Sequence, residues 1–240
     1  MSLVSSSRVV VLGGTSGLGL AVARAAAEAG AGVVIGSRSA SSVDRALAQL
    51  PDKVTGLTVD VASTESLGSF FAAVGGFDHL VYTAGDELVR LPIADYTPEQ
   101  GRRFFEIRLF RALDTVRLAL PTLSGSGSIT LTSGSAAYRG GAGLVLGAAV
   151  SGAMISAGRS LAIELAPIRV NVVAPGVVRT PLWSGMSDDE QENLFAWADS
   201  QALLGRIAVP EDVAKAYLHL MDQNSMTGTV TLVDAGSLLS

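Results

Sequence analysis

Cysteine is absent from the 240 residues, so disulfides and thiolate catalysis are excluded. Histidine is nearly absent: His79 and His219 stand far apart and fit no metal-ligand spacing, so no metal is expected. Charged residues make up only 16% of the chain and its net charge is −5. A nucleic-acid surface needs clustered Lys and Arg, so no nucleic-acid partner is expected. Lysine is confined to Lys53 and Lys215. No basic-then-apolar leader is visible in 1–7. The longest charge-free stretch, 140–158, is broken by glycines and makes a poor membrane span. The expectation is a cytoplasmic protein without a membrane partner.

What is present is apolar and periodic. Hydrophobic residues reach 48%, enough for a sizeable core. Short, almost wholly apolar runs at 8–12, 32–35, 54–59, 79–82, 128–132, 169–173 and 228–233 read as strands. Helical patterns fill the intervals at 18–29, 43–50, 63–74, 98–120, 146–166 and 211–221. Alternation of this kind implies an α/β chain with a doubly wound parallel sheet of about seven strands, Rossmann-type and covered on both faces. One domain spanning 1–240 suits the length. The segment 180–204, with Trp183, Trp197, Phe195 and the acidic run Asp188-Asp189-Glu190, departs from the alternation and reads as a helical flap over a site. Its aromatics are expected mainly to pack that flap.

The first strand runs into Gly13-Gly14-Thr15-Ser16-Gly17-Leu18-Gly19 and then a helix. Glycines there permit a tight turn and close approach of backbone to a pyrophosphate, and the helix N-terminus points its N–H groups at the anion. The second strand ends in Gly36-Ser37-Arg38-Ser39, with no acidic residue to bond an adenosine ribose. Arg38 offers a guanidinium to a 2′-phosphate, with Ser37 and Ser39 as hydroxyl donors, which points to NADP(H). The competing reading is a solvated arginine in a polar loop.

At these residues the chain resembles the short-chain dehydrogenase/reductase family over essentially its whole length. Gly13, Gly17 and Gly19 match the family's glycine motif, with Leu12 in place of its usual threonine. Asp60-Val61 is similar to the pair that contacts the adenine. Tyr82-Thr83-Ala84-Gly85 stands where the family has Asn-Asn-Ala-Gly and keeps only the last two. Asn171-Val172-Val173-Ala174-Pro175-Gly176 and the following Val177-Val178-Arg179-Thr180 resemble the segment beside the nicotinamide. By that resemblance Val178 and Thr180 contact the carboxamide. Asp234-Ala235-Gly236 is similar to the family's C-terminal turn.

The family's usual chemistry relies on a Tyr-x-x-x-Lys pair, a serine and an asparagine, in which the tyrosine protonates the developing alkoxide. Four positions after Tyr82, Tyr96, Tyr138 and Tyr217 stand Asp86, Gln100, Ala142 and Met221, none of them lysine. The family register places the tyrosine position at Gly147 and the lysine position at Ser151, one helical turn apart. The serine position falls on Gly134, or with a one-residue slip on Ser133 or Ser135. The asparagine position falls on Arg108. In having Arg there, the chain resembles an atypical branch that includes reductases of alkaloid-like biosynthesis, some also promoting cyclisation.

Arg108 is the residue singled out for a site role, orienting a carbonyl or stabilising negative charge. The alternative is a structural arginine paired with Glu106 or Asp86. Tyr138 is a second donor, or a loop tyrosine that only packs. Without the tyrosine, an iminium is the simplest acceptor, because adding hydride to it gives a neutral amine with no proton required. Three functions follow: an NADP(H)-dependent reductase of an activated C=N or C=O in a bulky biosynthetic intermediate, a non-redox cyclase or isomerase using NADP(H) as a floor, or a silent cofactor-binding protein. The expected partners are a small-molecule substrate and copies of the same chain in a homodimer or homotetramer, packed through the helices after the fourth and fifth strands.

Overall fold

A computed structural model describes residues 3–88 and 90–240. Seven strands form one sheet in the order β3-β2-β1-β4-β5-β6-β7. They are β1 Arg8–Leu12, β2 Gly32–Ser37, β3 Thr55–Thr58, β4 Phe77–Tyr82, β5 Leu123–Thr132, β6 Arg169–Pro175 and β7 Val230–Val233. Every neighbouring pair is parallel. Strand order therefore reverses between β1 and β4, which opens a crevice at their C-terminal ends. Register brings Leu12 level with Tyr82, and Tyr82 level with Leu131.

Side chains alternate across the pleat, and this decides the two cores. Val9 and Val11 of β1 join Val33 and Ile35 in a core capped by helices α1 (Gly17–Glu28) and α8 (Pro210–Asp222). Val10 and Leu12 join Leu80, Tyr82 and Leu131 in the opposite core. That second core is closed by α3 (Thr64–Val74), α5 (Arg111–Ala119) and α6 (Val145–Glu164). Burying each such side chain stabilises the fold by roughly 1.5–3 kcal/mol, so nearly every strand residue contributes. The remaining α-helices are α2 (Ala40–Leu47), α4 (Pro98–Phe105) and α7 (Asp188–Gln201).

The helical stretch expected at 98–120 departs from regularity in its middle. Thr97 and Gln100 form a capping box and Pro98 opens α4, as a helix start requires. Residues Glu106–Phe110 then form a π turn, with the Arg111 amide reaching the Glu106 carbonyl, before α5 resumes. Helix α6 is long and apolar enough to cross a membrane. It instead lays Val150, Met154, Ile155, Gly158 and Ala162 on the sheet, and a Cβ on Gly158 would stand 2.5 Å from Val172. Other boundaries move: β5 starts at Leu123 rather than 128, α2 at Ala40 rather than 43, and β7 at Val230 rather than 228.

Candidate active site at the crevice between the first and fourth strands

The turn after β1 is shaped so that side chains do not fit. Gly13 has φ +84° and donates to the Gly36 carbonyl at 2.9 Å. A Cβ on Gly13 would stand 2.7 Å from the Ala84 amide nitrogen. A Cβ on Gly19 would stand 2.2 Å from the Gly13 carbonyl oxygen and 2.5 Å from the Thr83 hydroxyl. Thr83 itself donates to the Leu12 carbonyl from both its amide and its hydroxyl, at 2.9 and 3.0 Å. The glycines thus let β1, α1 and the end of β4 converge, and Ser16 leads into the N-terminus of α1 with no side-chain cap bond. That exposed helix start, with Gly17 and Leu18 in its first turn, fits an anionic pyrophosphate.

Next to it, Thr15 donates to the Ser37 hydroxyl at 3.1 Å. Arg38 is exposed, and among the described residues its guanidinium has no partner. The Ser39 hydroxyl is engaged locally: it caps α2 by accepting from the Ser42 amide and lies 2.9 Å from the Ser41 hydroxyl. Asp60, past β3, accepts from the Ala62 amide at 3.0 Å, and Val61 packs on the second core.

On the opposite wall, β6 ends at Pro175. A Cβ on Gly176 would stand 3.0 Å from Asp234, so glycine lets the end of β6 approach the residue that follows β7 closely. Val178 is buried, bridges to Ala208, and accepts the Trp183 indole at 2.9 Å on its carbonyl. Thr180 sits over Gly17, where an added Cβ would lie 3.2 Å from the threonine's own. The expected flap comprises a short 3₁₀ turn, Pro181–Trp183, followed by α7. Phe195 and Trp183 pack in a small core beneath α7, whereas Trp197 is exposed. Arg179 pins the helix, standing 4.5 Å over the Phe195 ring and pairing with Glu192 at 3.1 Å.

Arg108 lies in the middle of the π turn. Its Nη2 donates to the Asp86 carbonyl, its guanidinium stands 5.3 Å over the Phe104 ring, and a Cβ on Gly85 would be 3.0 Å from its Nη1. Of the two carboxylates expected as structural partners, Asp86 lies beside Arg108 and Glu106 pairs elsewhere. Glu106 bonds Arg111 at 2.7 Å, and Asp86 meets Arg108 through its main chain. Burial lowers the Arg108 pKa below its ordinary value and the Asp86 carboxylate opposes this. An arginine so placed remains a cation.

Of the two serines, Ser133 donates to the Ser151 carbonyl at 2.8 Å. Ser135 opens a short 3₁₀ turn, Ser135–Ala137, and among the described residues its hydroxyl has no partner. Tyr138 is exposed. Around Gly147, in α6, no atom lies within 4 Å of an added Cβ, so the tyrosine position is open space. The π turn itself has no signature in the sequence. Nor does the link between Tyr82 and Ile107, where the phenol donates to the carbonyl at 2.6 Å; only the unusual Tyr82 at a strand end hints at it.

The enoyl-(acyl carrier protein) reductase family model matches residues 13–237. The short-chain dehydrogenase/reductase malC of Malbranchea aurantiaca is 36% identical, over 99% of this chain and 96% of its own. The structure of the MalC reductase/Diels-Alderase from that organism superposes with a TM-score of 0.91 at 34% identity, covering 100% of this chain and 99% of that one. A small-chain dehydrogenase solved in complex with NADPH superposes with a TM-score of 0.83 at 30% identity, covering 98% and 100%. The chain belongs to the short-chain dehydrogenase/reductase family and is an oxidoreductase of that family.

Proposed function

We propose that the protein is an NADP(H)-dependent reductase that acts on an activated C=N, such as an iminium, or on a carbonyl of a bulky biosynthetic intermediate. NADPH supplies hydride when bound. The chain fits it: the glycines let the turn close tightly against the end of β4, the start of α1 that follows carries no side-chain cap and suits a pyrophosphate, and Arg38 is left free for a 2′-phosphate. A relative of 30% identity holds NADPH in its crystal structure. By the family resemblance Val178 and Thr180 would border the nicotinamide side, a reading supported by Thr180 lying over the turn at Gly17.

The observation that carries the acceptor side is the Arg108 guanidinium lying against Gly85 at the crevice. In a site screened from water, a fixed cation orients an acceptor oxygen and stabilises charge developing on it. An iminium needs no proton, which suits a chain with no Tyr-x-x-x-Lys pair. For a carbonyl acceptor, Ser135 is the hydroxyl that remains free to donate. The open space at Gly147 suits a large substrate.

One observation favours a second reading on the same site. MalC is described as both a reductase and a Diels-Alderase, so ring closure over the bound cofactor is the competing activity. NADPH oxidation against panels of cyclic iminium ions and ketones separates them. Oxidation matched by reduced product supports the reductase; tight NADPH binding with no oxidation in either panel overturns it. Arg38→Ala is expected to weaken NADP binding by about ten-fold and leave NAD binding unchanged. Arg108→Ala is expected to lower turnover with NADP affinity kept, and unchanged turnover refutes its role.

A homodimer or homotetramer is part of the proposal. Phe110 and Val145 are exposed beside a groove lined by Tyr96, Phe105 and Leu146, on the helices expected to pack between copies. A monomeric mass at micromolar concentration by light scattering overturns it.

A further inference from the structure

Tyr82 is held on both sides. Its backbone lies in β4 between β1 and β5, and its side chain is fully buried. Its carbonyl accepts the Thr132 hydroxyl at 2.6 Å, and that hydroxyl lies 2.6 Å from the phenol of the buried Tyr217. From this anchored position the Tyr82 phenol reaches across to α4 and α5 and donates to the Ile107 carbonyl at 2.6 Å. Ile107 belongs to the π turn, in which the backbone bonds widen from i+4 to i+5. A side chain inserted into a helical ladder is one of the few physical causes of such an irregularity.

The next residue after Ile107 is Arg108, and its guanidinium returns the contact by donating to the Asp86 carbonyl, four residues beyond Tyr82. The strand end therefore grips the helix through a phenol, and the helix grips the strand end through a guanidinium. The two bonds run in opposite directions between the same two segments. The phenol fixes the carbonyl next to the backbone from which Arg108 departs, and the guanidinium fixes the loop that follows Tyr82. Burial raises the phenol pKa well above its ordinary value, so the hydroxyl keeps its proton and donates at neutral pH.

We propose that Tyr82 is a positioning residue for Arg108: its bond to the Ile107 carbonyl sets the π turn that aims the guanidinium at Gly85 and the crevice. This rests on the reading that Arg108 faces the acceptor. Without the π turn the backbone bonds through 106–111 would run from i to i+4, and Arg108, in the middle of that stretch, would depart from a differently directed backbone. Arg108 would then no longer meet the Asp86 carbonyl. Tyr82→Phe removes the hydroxyl and keeps the ring.

The test is the rate at which phenylglyoxal modifies Arg108, followed by peptide mass spectrometry on the full chain. In the unaltered protein, saturating NADP is expected to slow modification of Arg108; no protection means that Arg108 does not face the cofactor crevice, and it is the reading of Arg108 that fails. In Tyr82→Phe without cofactor, Arg108 is expected to react about five- to ten-fold faster, the equivalent of one lost buried hydrogen bond. The rates of Arg38 and Arg102 and the NADPH affinity are expected to stay unchanged. An Arg108 rate unaltered in the folded variant overturns the positioning role, as does a rise shared by all three arginines. Should Tyr82→Phe not fold, hydrogen exchange of the unaltered chain decides. The amides of 104–111 are expected to be protected together with those of 80–83, and exchange of 104–111 as fast as the loop at 139–143 overturns the proposal.

Discussion

Thr180 lies directly over Gly17, so the segment that leaves β6 closes onto the phosphate turn that leaves β1. Gly17 also has φ +49°, a backbone conformation that side-chain-bearing residues rarely adopt. Gly17→Ala faces both strain and a Cβ only 3.2 Å from the Thr180 Cβ, a few tenths of an ångström too near. We expect it to weaken NADP affinity by at least about ten-fold while the far-ultraviolet circular dichroism is kept. Calorimetric titration with NADP and NADPH measures this, and affinity equal to the unaltered protein contradicts it.

Gly147 presents the opposite case. It is the third residue of α6, in the first turn, with no positive φ, and an added Cβ meets nothing. Glycine in a helix interior costs about 0.5–1 kcal/mol relative to alanine. In the first turn that cost is an upper bound, so Gly147→Ala is expected to raise the stability of the chain by at most about that amount, read as an increase in denaturation midpoint. Gly147→Trp fills the open space, and is expected to reduce turnover of bulky acceptors more than of small ones. Equal loss for both classes contradicts the assignment of that space to substrate.

His79 couples stability to acid. It is buried with its Nδ1 2.8 Å from the Ser128 hydroxyl. Burial lowers its pKa from 6.5 to about 4, opposed by Asp78 and assisted by Arg169. The unfolded chain takes up the proton below about pH 6.5, whereas the folded chain resists until about pH 4. Stability from this group is thus present in full above pH 6.5 and is lost as pH falls through that window. The slope is at most about 1.4 kcal/mol per pH unit. Urea unfolding between pH 7 and 4 is expected to show this decline, and His79→Gln to flatten it; an unchanged slope in the variant refutes the assignment.

The strands were legible because their cause is local. Val9 to Leu12 alternate between two buried faces, and a continuous apolar run is what such a strand requires. The glycine turn is legible for another reason: three glycines between an apolar run and a helical pattern are a local signature, and Gly13 and Gly17 do take positive φ, although the contacts that exclude their side chains come from Ala84 and Thr180. Arg108 is marked by its place in a family register, and sequence proximity names Glu106 or Asp86 as its partner; Asp86 is its neighbour, through charge and through a main-chain carbonyl that sequence does not point to. Glu106 pairs with Arg111. Ser133 was an equal candidate with Ser135 until the Ser151 carbonyl took its hydroxyl.

The sequence by itself determined the doubly wound sheet, the phosphate turn, the free arginine after β2 and the absence of the Tyr-x-x-x-Lys pair, since each depends on residues close together in the chain. Only the tertiary structure decided the π turn, the open space at Gly147 and the mutual grip of Tyr82 and Arg108. Those depend on groups that packing alone brings together: the phenol at 82 reaches a carbonyl 25 residues away. No local pattern encodes which carbonyl a buried hydroxyl will meet, and that meeting directs the guanidinium at the crevice.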